Sequence, residues 1–183
     1  MQALIDTPDL GAELRVVVAD RPGTKALDRA QQAGIPAIVL PWDQYPSRNE
    51  FSAAVADTVE SAGAKLMVLA GFMRILAAEA VSRFPNRILN IHPSLLPAFP
   101  GASAVAQALA HGVTVTGVTI HLVDEQVDHG PIIAQRAVPV LPDDDVAALH
   151  ARIQVQEHDL YPRVVRAFVA GEVAVVDGRV AWR

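Results

Sequence analysis

The stretch Ala64–His92, AKLMVLAGFMRILAAEAVSRFPNRILNIH, decides the fold. Two of its segments, AKLMVLAG and RILNIH, carry short, continuous apolar runs of the kind that form strands buried on both faces. Between them ILAAEAVSRFP reads as a short helix stopped by Pro85. Strand, helix and strand in this order make the crossover unit of a parallel sheet.

The same rhythm extends in both directions. Upstream, LRVVVAD (14–20) is a β-branched run ending in an acid and a turn, RPG. TKALDRAQQAG then predicts a helix closed by Gly34, and IPAIVL a second buried strand. Arg48 to Gly63 places Phe51, Val55 and Val59 at helical spacing. Downstream, ASAVAQALAHG predicts a helix and VTVTGVTIHLV a strand; PIIAQRAVPV, with its prolines, is suited to a sheet edge. The segment from Asp143 to Gly171 is helical by periodicity, with Pro162 marking a kink or a break between two helices. VAVVDGRVAW fits a hairpin around Asp177-Gly178. The N-terminal MQALIDT reads as the inside of a first helix. The fold class is therefore α/β: an open, mostly parallel, Rossmann-like sheet with helices on both faces.

Composition agrees. A chain of 183 residues is the size of one domain with a full core, and 51% apolar residues against 5% aromatics give an interior of Val, Leu, Ile and Ala. With 15 Lys and Arg against 20 Asp and Glu, the formal charge of -5 offers no general attraction to nucleic acid or to an anionic membrane. There is no cysteine, hence no disulfide framework and no thiol nucleophile. MQALIDTPDL lacks the charge and apolar pattern of an export signal, so a cytoplasmic location is expected.

The polar residues of RILNIH are the chemically informative ones. A period of two puts Ile88, Asn90 and His92 on one face and Leu89 and Ile91 on the other, and Pro93 ends the strand. An amide and an imidazole facing the same way suit a carbonyl oxygen that becomes an oxyanion: one donates a hydrogen bond, the other donates or delivers a proton. The alternative is that both cap the following turn. Asp128, in VDEQVDHGP, is the best placed acid to hold His92 in its charged form; otherwise it shapes its own loop as an Asx turn. His92, His121 and His129 lie near several acids, but no HxxxH or HExxH spacing occurs, and no metal is expected. Arg74, in GFMRIL, and Arg48 are each either ligand cations or surface residues. Glu157 is a helical acid beside His158.

Taken together, NIHPSLLPAFPG, GFMRIL, VDEQVDHGP and QEHDLYP resemble the folate-dependent phosphoribosylglycinamide formyltransferases of the formyltransferase superfamily. The resemblance covers essentially the whole chain from Gln2. It implies transfer of the formyl group of 10-formyltetrahydrofolate to the primary amine of glycinamide ribonucleotide, with no metal and no covalent enzyme intermediate. It implies catalytic roles for Asn90, which holds the formyl oxygen, His92, the acid, and Asp128, which sustains the imidazolium. Folate contacts fall on Arg48, on Met73, Arg74, Ile75 and Leu76, and on Asn90. The loop Val123, Asp124, Glu125, Gln126 and Val127 encloses the pterin, and Glu157 receives the ribose hydroxyls of the second substrate. A cis peptide before Pro97 is also implied, and the protein is expected as a monomer or homodimer.

Two departures stand out. The family opens with a strand and a GxGxN-like phosphate loop, and both are absent ahead of MQALID, so the chain is expected to be a single formyltransferase domain, 1–183, without them. The family places that strand centrally, between LRVVVAD and LMVLAG, so its loss is expected to leave two ladders exposed. Ser103 stands where the family commonly has histidine, which implies altered substrate positioning or loop packing. Within the superfamily, the hydrolase, the methionyl-tRNA formyltransferase and the amino-sugar formyltransferases share the Asn, His and Asp arrangement. A folate-binding remnant with little activity is the non-enzymatic alternative.

Overall fold

The computed structural model describes residues 1–183. A short helix α1 (Gln2–Ile5) precedes β1 (Val17–Ala19), α2 (Lys25–Gln32) and β2 (Ala37–Val39). Then follow α3 (Arg48–Ser61), β3 (Met67–Leu69), α4 (Ala78–Ser82) and β4 (Ile88–His92). The second half contains α5 (Ala104–His111), β5 (Val115–Leu122), β6 (Ile132–Pro139), α6 (Val146–Val169), β7 (Val173–Val176) and β8 (Arg179–Trp182). Local chemistry sets several of these limits. Ser47 Oγ accepts the Glu50 N–H at 3.2 Å and Asp145 Oδ1 the Ala148 N–H at 2.7 Å, each serving donors that a helix start leaves unpaired. Gly34 and Gly63 follow α2 and α3 with φ of 68° and 69°, the left-handed turn that closes a helix and that glycine adopts without a Cβ penalty.

The main sheet has four strands in the order β3-β4-β5-β6. The β3–β4 ladder is parallel, while β5 pairs antiparallel with both β4 and β6. Thus β3, β4 and β6 run one way and β5 alone opposes them, a mostly parallel sheet in direction. Helices cover both faces because β4 alternates. Ile88 packs with Phe51 and Val55 of α3 and Val81 of α4, whereas Leu89 packs with Tyr161, Val164 and Val165 of α6. Both β4 side chains are 0% exposed. At the ~25 cal/mol per Å² typical of apolar burial, each such side chain contributes on the order of 2 kcal/mol. No helix is long and apolar enough to cross a membrane.

Three expectations need correction or sharpening. β2 is not buried: Ala37 is exposed and Ile38 is 40% exposed, because β2 pairs with β1 alone and ends its sheet. Pro162 does not divide the C-terminal helix, since α6 runs unbroken for 24 residues through it. Proline removes one helical N–H, and burial of Tyr161, Pro162, Val164 and Val165 against the sheet offsets that loss. The hairpin at Asp177-Gly178 forms as expected, with both residues at positive φ joining β7 to β8.

β1 and β2 form a separate two-stranded parallel sheet. Between β1 and β3 no ladder forms, and a slot of about 390 Å³ opens there, lined on its two sides by Val16, Val17, Val18 and by Leu66, Met67, Val68. That is far larger than the water-sized voids of packed interiors. It lies where the resemblance puts a central strand.

Candidate active site

β4 delivers two polar side chains to one place. Asn90 lies opposite His121 and His92 opposite Thr119 in the β4–β5 ladder. Because β5 is antiparallel, its exit at Leu122 sits beside Leu89, so the following loop has to fold back along the sheet to reach the far end of β4. It does so through Val123, whose N–H bonds to Ile88 O at 2.9 Å, and through Gly130. A Cβ on Gly130 would lie 2.0 Å from Leu122 O, so the loop passes where only glycine fits.

The loop brings Asp128 into the site. Its Oδ2 accepts the Gly101 N–H at 2.7 Å and stands 3.3 Å from His92 Nδ1; its Oδ1 lies 3.4 Å from Asn90 Nδ2 and 3.5 Å from His121 Nε2. Asp128 has φ 51°, a left-handed conformation that aspartate tolerates better than most residues. The Asx-turn role belongs instead to Asp124, whose Oδ1 accepts the Gln126 N–H at 2.9 Å. Burial pushes the Asp128 carboxyl up, yet the hydrogen bonds from His121 and Gly101, with the charges of His92 and His121, outweigh it and hold the group below its ordinary range.

His92 is buried between two acceptors. Nε2 lies 2.8 Å from Phe99 O while Nδ1 faces Asp128 Oδ2. A neutral imidazole has one N–H and satisfies one of these; the imidazolium satisfies both. The turn that presents Phe99 O is anchored from beneath. Thr119 Oγ1 donates to Ser94 O at 2.7 Å and accepts the Leu96 N–H at 3.0 Å, and Gln135 Nε2 donates to Leu96 O at 2.8 Å. The Leu96–Pro97 peptide is cis, as the resemblance implied. Ser103 adopts φ 62° ahead of α5, and its hydroxyl makes no capping bond there.

His121, weighed from the sequence only as a metal ligand, joins this cluster. Its Nδ1 is 2.9 Å from Leu122 O and its Nε2 is 3.1 Å from Asn90 Nδ2. The neutral ring with Nδ1–H donated to Leu122 O accepts from Asn90 through Nε2; when protonated it turns a second donor toward Asp128. The 3.1 Å contact to Asn90 is the shorter of the two, and the 3.5 Å approach to Asp128 is the second partner of the same nitrogen. The signal lay in the register: an antiparallel β5 places His121 directly across from Asn90.

The remaining candidates distribute over neighbouring elements. Met73 and Ile75 are 81% and 51% exposed in the loop after β3, whereas Leu76 is buried in the core below. Phe72 from this loop and Val123 from the Asp128 loop pack on that same core cluster, so the two loops flank one region. Asp124 holds His129 Nδ1 at 2.7 Å, and Glu125, Gln126 and Val127 are exposed. Arg74 is not a free cation: its Nε bonds to Asp20 Oδ2 at 2.7 Å, and its guanidinium lies 4.8 Å from the centre of the Trp42 ring. Arg48 is exposed at the first turn of α3. Glu157, on α6, makes no hydrogen bond to Asn90, His92 or Asp128. Burial raises its carboxyl above the ordinary range, against the pull of His150 and the Met1 amino group. One turn later Tyr161 shares its O–H between Leu69 O at 2.9 Å and Leu89 O at 3.0 Å, tying α6 to β3 and β4.

An amide, an imidazole and a mostly buried carboxylate converge on the sheet, an arrangement suited to group transfer by positioned donors. The chain belongs to the formyl transferase family, whose pattern matches residues 2–165. It is 44% identical over 183 residues to the phosphoribosylglycinamide formyltransferase of Mycobacterium tuberculosis strain H37Rv, covering 99% of this chain and 84% of that protein. It is 42% identical to the human trifunctional purine biosynthetic protein adenosine-3, where all of this chain spans 18% of the relative's length. Its fold matches the crystal structure of glycinamide ribonucleotide transformylase 1 from Symbiobacterium toebii with a TM-score of 0.95 and 46% identity, over 99% of this chain and 87% of that one.

Proposed function

We propose that this chain transfers the formyl group of 10-formyltetrahydrofolate to the primary amine of glycinamide ribonucleotide, a step of purine biosynthesis. The observation that carries the mechanism is the His92 ring, held between Phe99 O and the Asp128 carboxylate beside the Asn90 amide. The amine attacks the formyl carbon and forms a C–N bond, and negative charge collects on the formyl oxygen. Asn90 donates to that oxygen. Its bond to Asp128, at 3.4 Å longer than its 3.1 Å contact with His121, is the one the substrate takes over, while the contact with His121 fixes the amide plane. The His92 imidazolium, its Nδ1–H held toward Asp128, turns its Nε2–H from Phe99 O to the formyl oxygen as the second donor, and Asp128 stabilises its charge. The proton lost by the amine passes to the folate nitrogen as the bond from that nitrogen to the formyl carbon breaks. No covalent enzyme intermediate is needed.

In this reading the folate contacts are Arg48, the segment Met73 to Leu76, Asn90, and the loop Val123 to Val127. Because Arg74 is committed to Asp20 and Trp42, its segment serves folate through backbone groups and through the exposed Met73 and Ile75. Glu157 serves the ribose hydroxyls. The enzyme acts in the cytoplasm, as a monomer or homodimer, on two small-molecule substrates.

The test is an incubation of purified protein with both substrates, following release of tetrahydrofolate. Tetrahydrofolate formed only when glycinamide ribonucleotide is present supports the assignment. Formate released without the ribonucleotide would identify a hydrolase, and no folate turnover by folded protein would reject transfer altogether.

A further inference from the structure

Register sets His92, Thr119 and Gln135 side by side across three strands: His92 of β4 lies opposite Thr119 of β5, and Thr119 opposite Gln135 of β6. Residues paired in this way share one face of a sheet. Over that face lies the turn from Pro93 to Phe99, and β5 leaves room for it. A Cβ on Gly117 would stand 2.7 Å from Leu95 Cδ2, so glycine lets the Leu95 side chain rest against the strand.

Hydrogen-bond directions run from Gln135 toward His92. The Thr119 hydroxyl has one hydrogen and two lone pairs, and all three are used. It donates to Ser94 O at 2.7 Å and accepts from the Leu96 N–H at 3.0 Å and from Gln135 Nε2 at 2.9 Å. The second hydrogen of the Gln135 amide goes to Leu96 O at 2.8 Å. Ser94 carries the order onward: its hydroxyl donates to Ala98 O at 2.5 Å, and the next carbonyl, Phe99 O, meets His92 Nε2 at 2.8 Å. A carbonyl only accepts, so Nε2 holds the hydrogen of that bond. Phe99 sits at φ 54°, a left-handed conformation uncommon for a large side chain, so the bonds around it are what keep its carbonyl in place.

Thr119 and Ser94 are 0% exposed, whereas Gln135 lies at the surface of β6 and closes the network from outside. We propose that Gln135 is a positioning residue for the transfer reaction: by donating twice it fixes the Pro93–Phe99 turn, and the turn sets where the His92 ring starts each turnover. This rests on the formyl-transfer reading above, in which His92 is the acid. A carboxylate of the same shape would reverse the pattern. In Gln135→Glu an oxygen faces Leu96 O and draws the Thr119 hydroxyl hydrogen away from Ser94 O. Gln135→Met keeps the length of the side chain, removes both donors and adds no charge.

The experiment measures kcat and both KM values for the parent, Gln135→Met and Gln135→Glu, together with NMR-detected exchange of the His92 Nε2 hydrogen in the free proteins. kcat is expected to fall about tenfold in Gln135→Met and about a hundredfold in Gln135→Glu. Both KM values are expected within about threefold of the parent, because Gln135 acts on the acid and not on substrate binding. Exchange at Nε2 is expected to quicken in the same order, by at least about tenfold in Gln135→Glu. A Gln135 with only a structural role would lower the urea midpoint and leave kcat and ring exchange of the folded protein alone, and that result overturns the proposal. A kcat for Gln135→Glu within about threefold of the parent overturns it equally. A parent protein without formyl transfer would reject the formyl-transfer reading instead, and the ring exchange then decides by itself whether Gln135 positions His92.

Discussion

Replacing Asp128 with asparagine tests the electrostatic part of the proposed mechanism. The side chain keeps its shape and one acceptor oxygen but loses the charge that faces His92 Nδ1 at 3.3 Å, in a site where the two side chains are 11% and 6% exposed. At an effective dielectric constant of about 20, a charge pair at 3.3 Å is worth about 5 kcal/mol. The amide retains a hydrogen bond to Gly101 N–H and carries less desolvation cost than a carboxylate, so about half of that value survives as lost stabilisation of the imidazolium. About 2.7 kcal/mol corresponds to a kcat lower by roughly a hundredfold at neutral pH. KM for the folate is expected to move less than about threefold, because the charge acts on the acid and not on folate affinity. Steady-state release of tetrahydrofolate gives both constants. A kcat within about threefold of the parent would refute the reasoning, since His92 would then need no countercharge.

The same carboxylate sets a pH dependence of stability. Its folded pKa is lowered, so its contribution is present above the unfolded carboxyl value of about 3.9 and is lost as pH falls through the lower folded value. The stability difference between the parent and Asp128→Asn, from urea unfolding, is expected to shift against the parent between about pH 6 and about pH 2; a constant difference would contradict the lowered pKa. Tyr161→Phe removes a buried hydroxyl shared by Leu69 O and Leu89 O and leaves both carbonyls with less pairing, at a cost of about 1–3 kcal/mol in urea unfolding. A loss under ~0.5 kcal/mol would mean the hydroxyl does not tie α6 to the sheet. Gly130→Ala puts a Cβ 2.0 Å from Leu122 O and so displaces the loop that carries Asp128. Turnover is expected to fall by at least about tenfold with the protein still folded by circular dichroism, and unchanged turnover would show that Asp128 tolerates the shift.

Much of this architecture was legible because strand and helix periodicity are local. The run RILNIH displays its own facing pattern, and Ile88 and Leu89 divide between the two faces of the sheet as alternation requires. Asp128 was also within reach of sequence reasoning, as the acid of a tight loop. What escaped depends on contacts between distant segments. The exposure of β2 follows from its place at a sheet end, and no residue in IPAIVL encodes it. His121 gains its contact with Asn90 from the antiparallel register of β5. Arg74 looks like a free ligand cation until Asp20, 54 positions away, takes its guanidinium. Phe99 contributes a carbonyl, a group every residue possesses, so its bond to His92 had no sequence signal.

The most direct measurement follows the transferred carbon itself. With 10-formyltetrahydrofolate labelled with ¹³C at the formyl carbon, the NMR signal is predicted to move into an amide-type formyl resonance on glycinamide ribonucleotide, in step with tetrahydrofolate released. Label collecting in free formate, or remaining on the folate while the protein stays folded, would contradict the account.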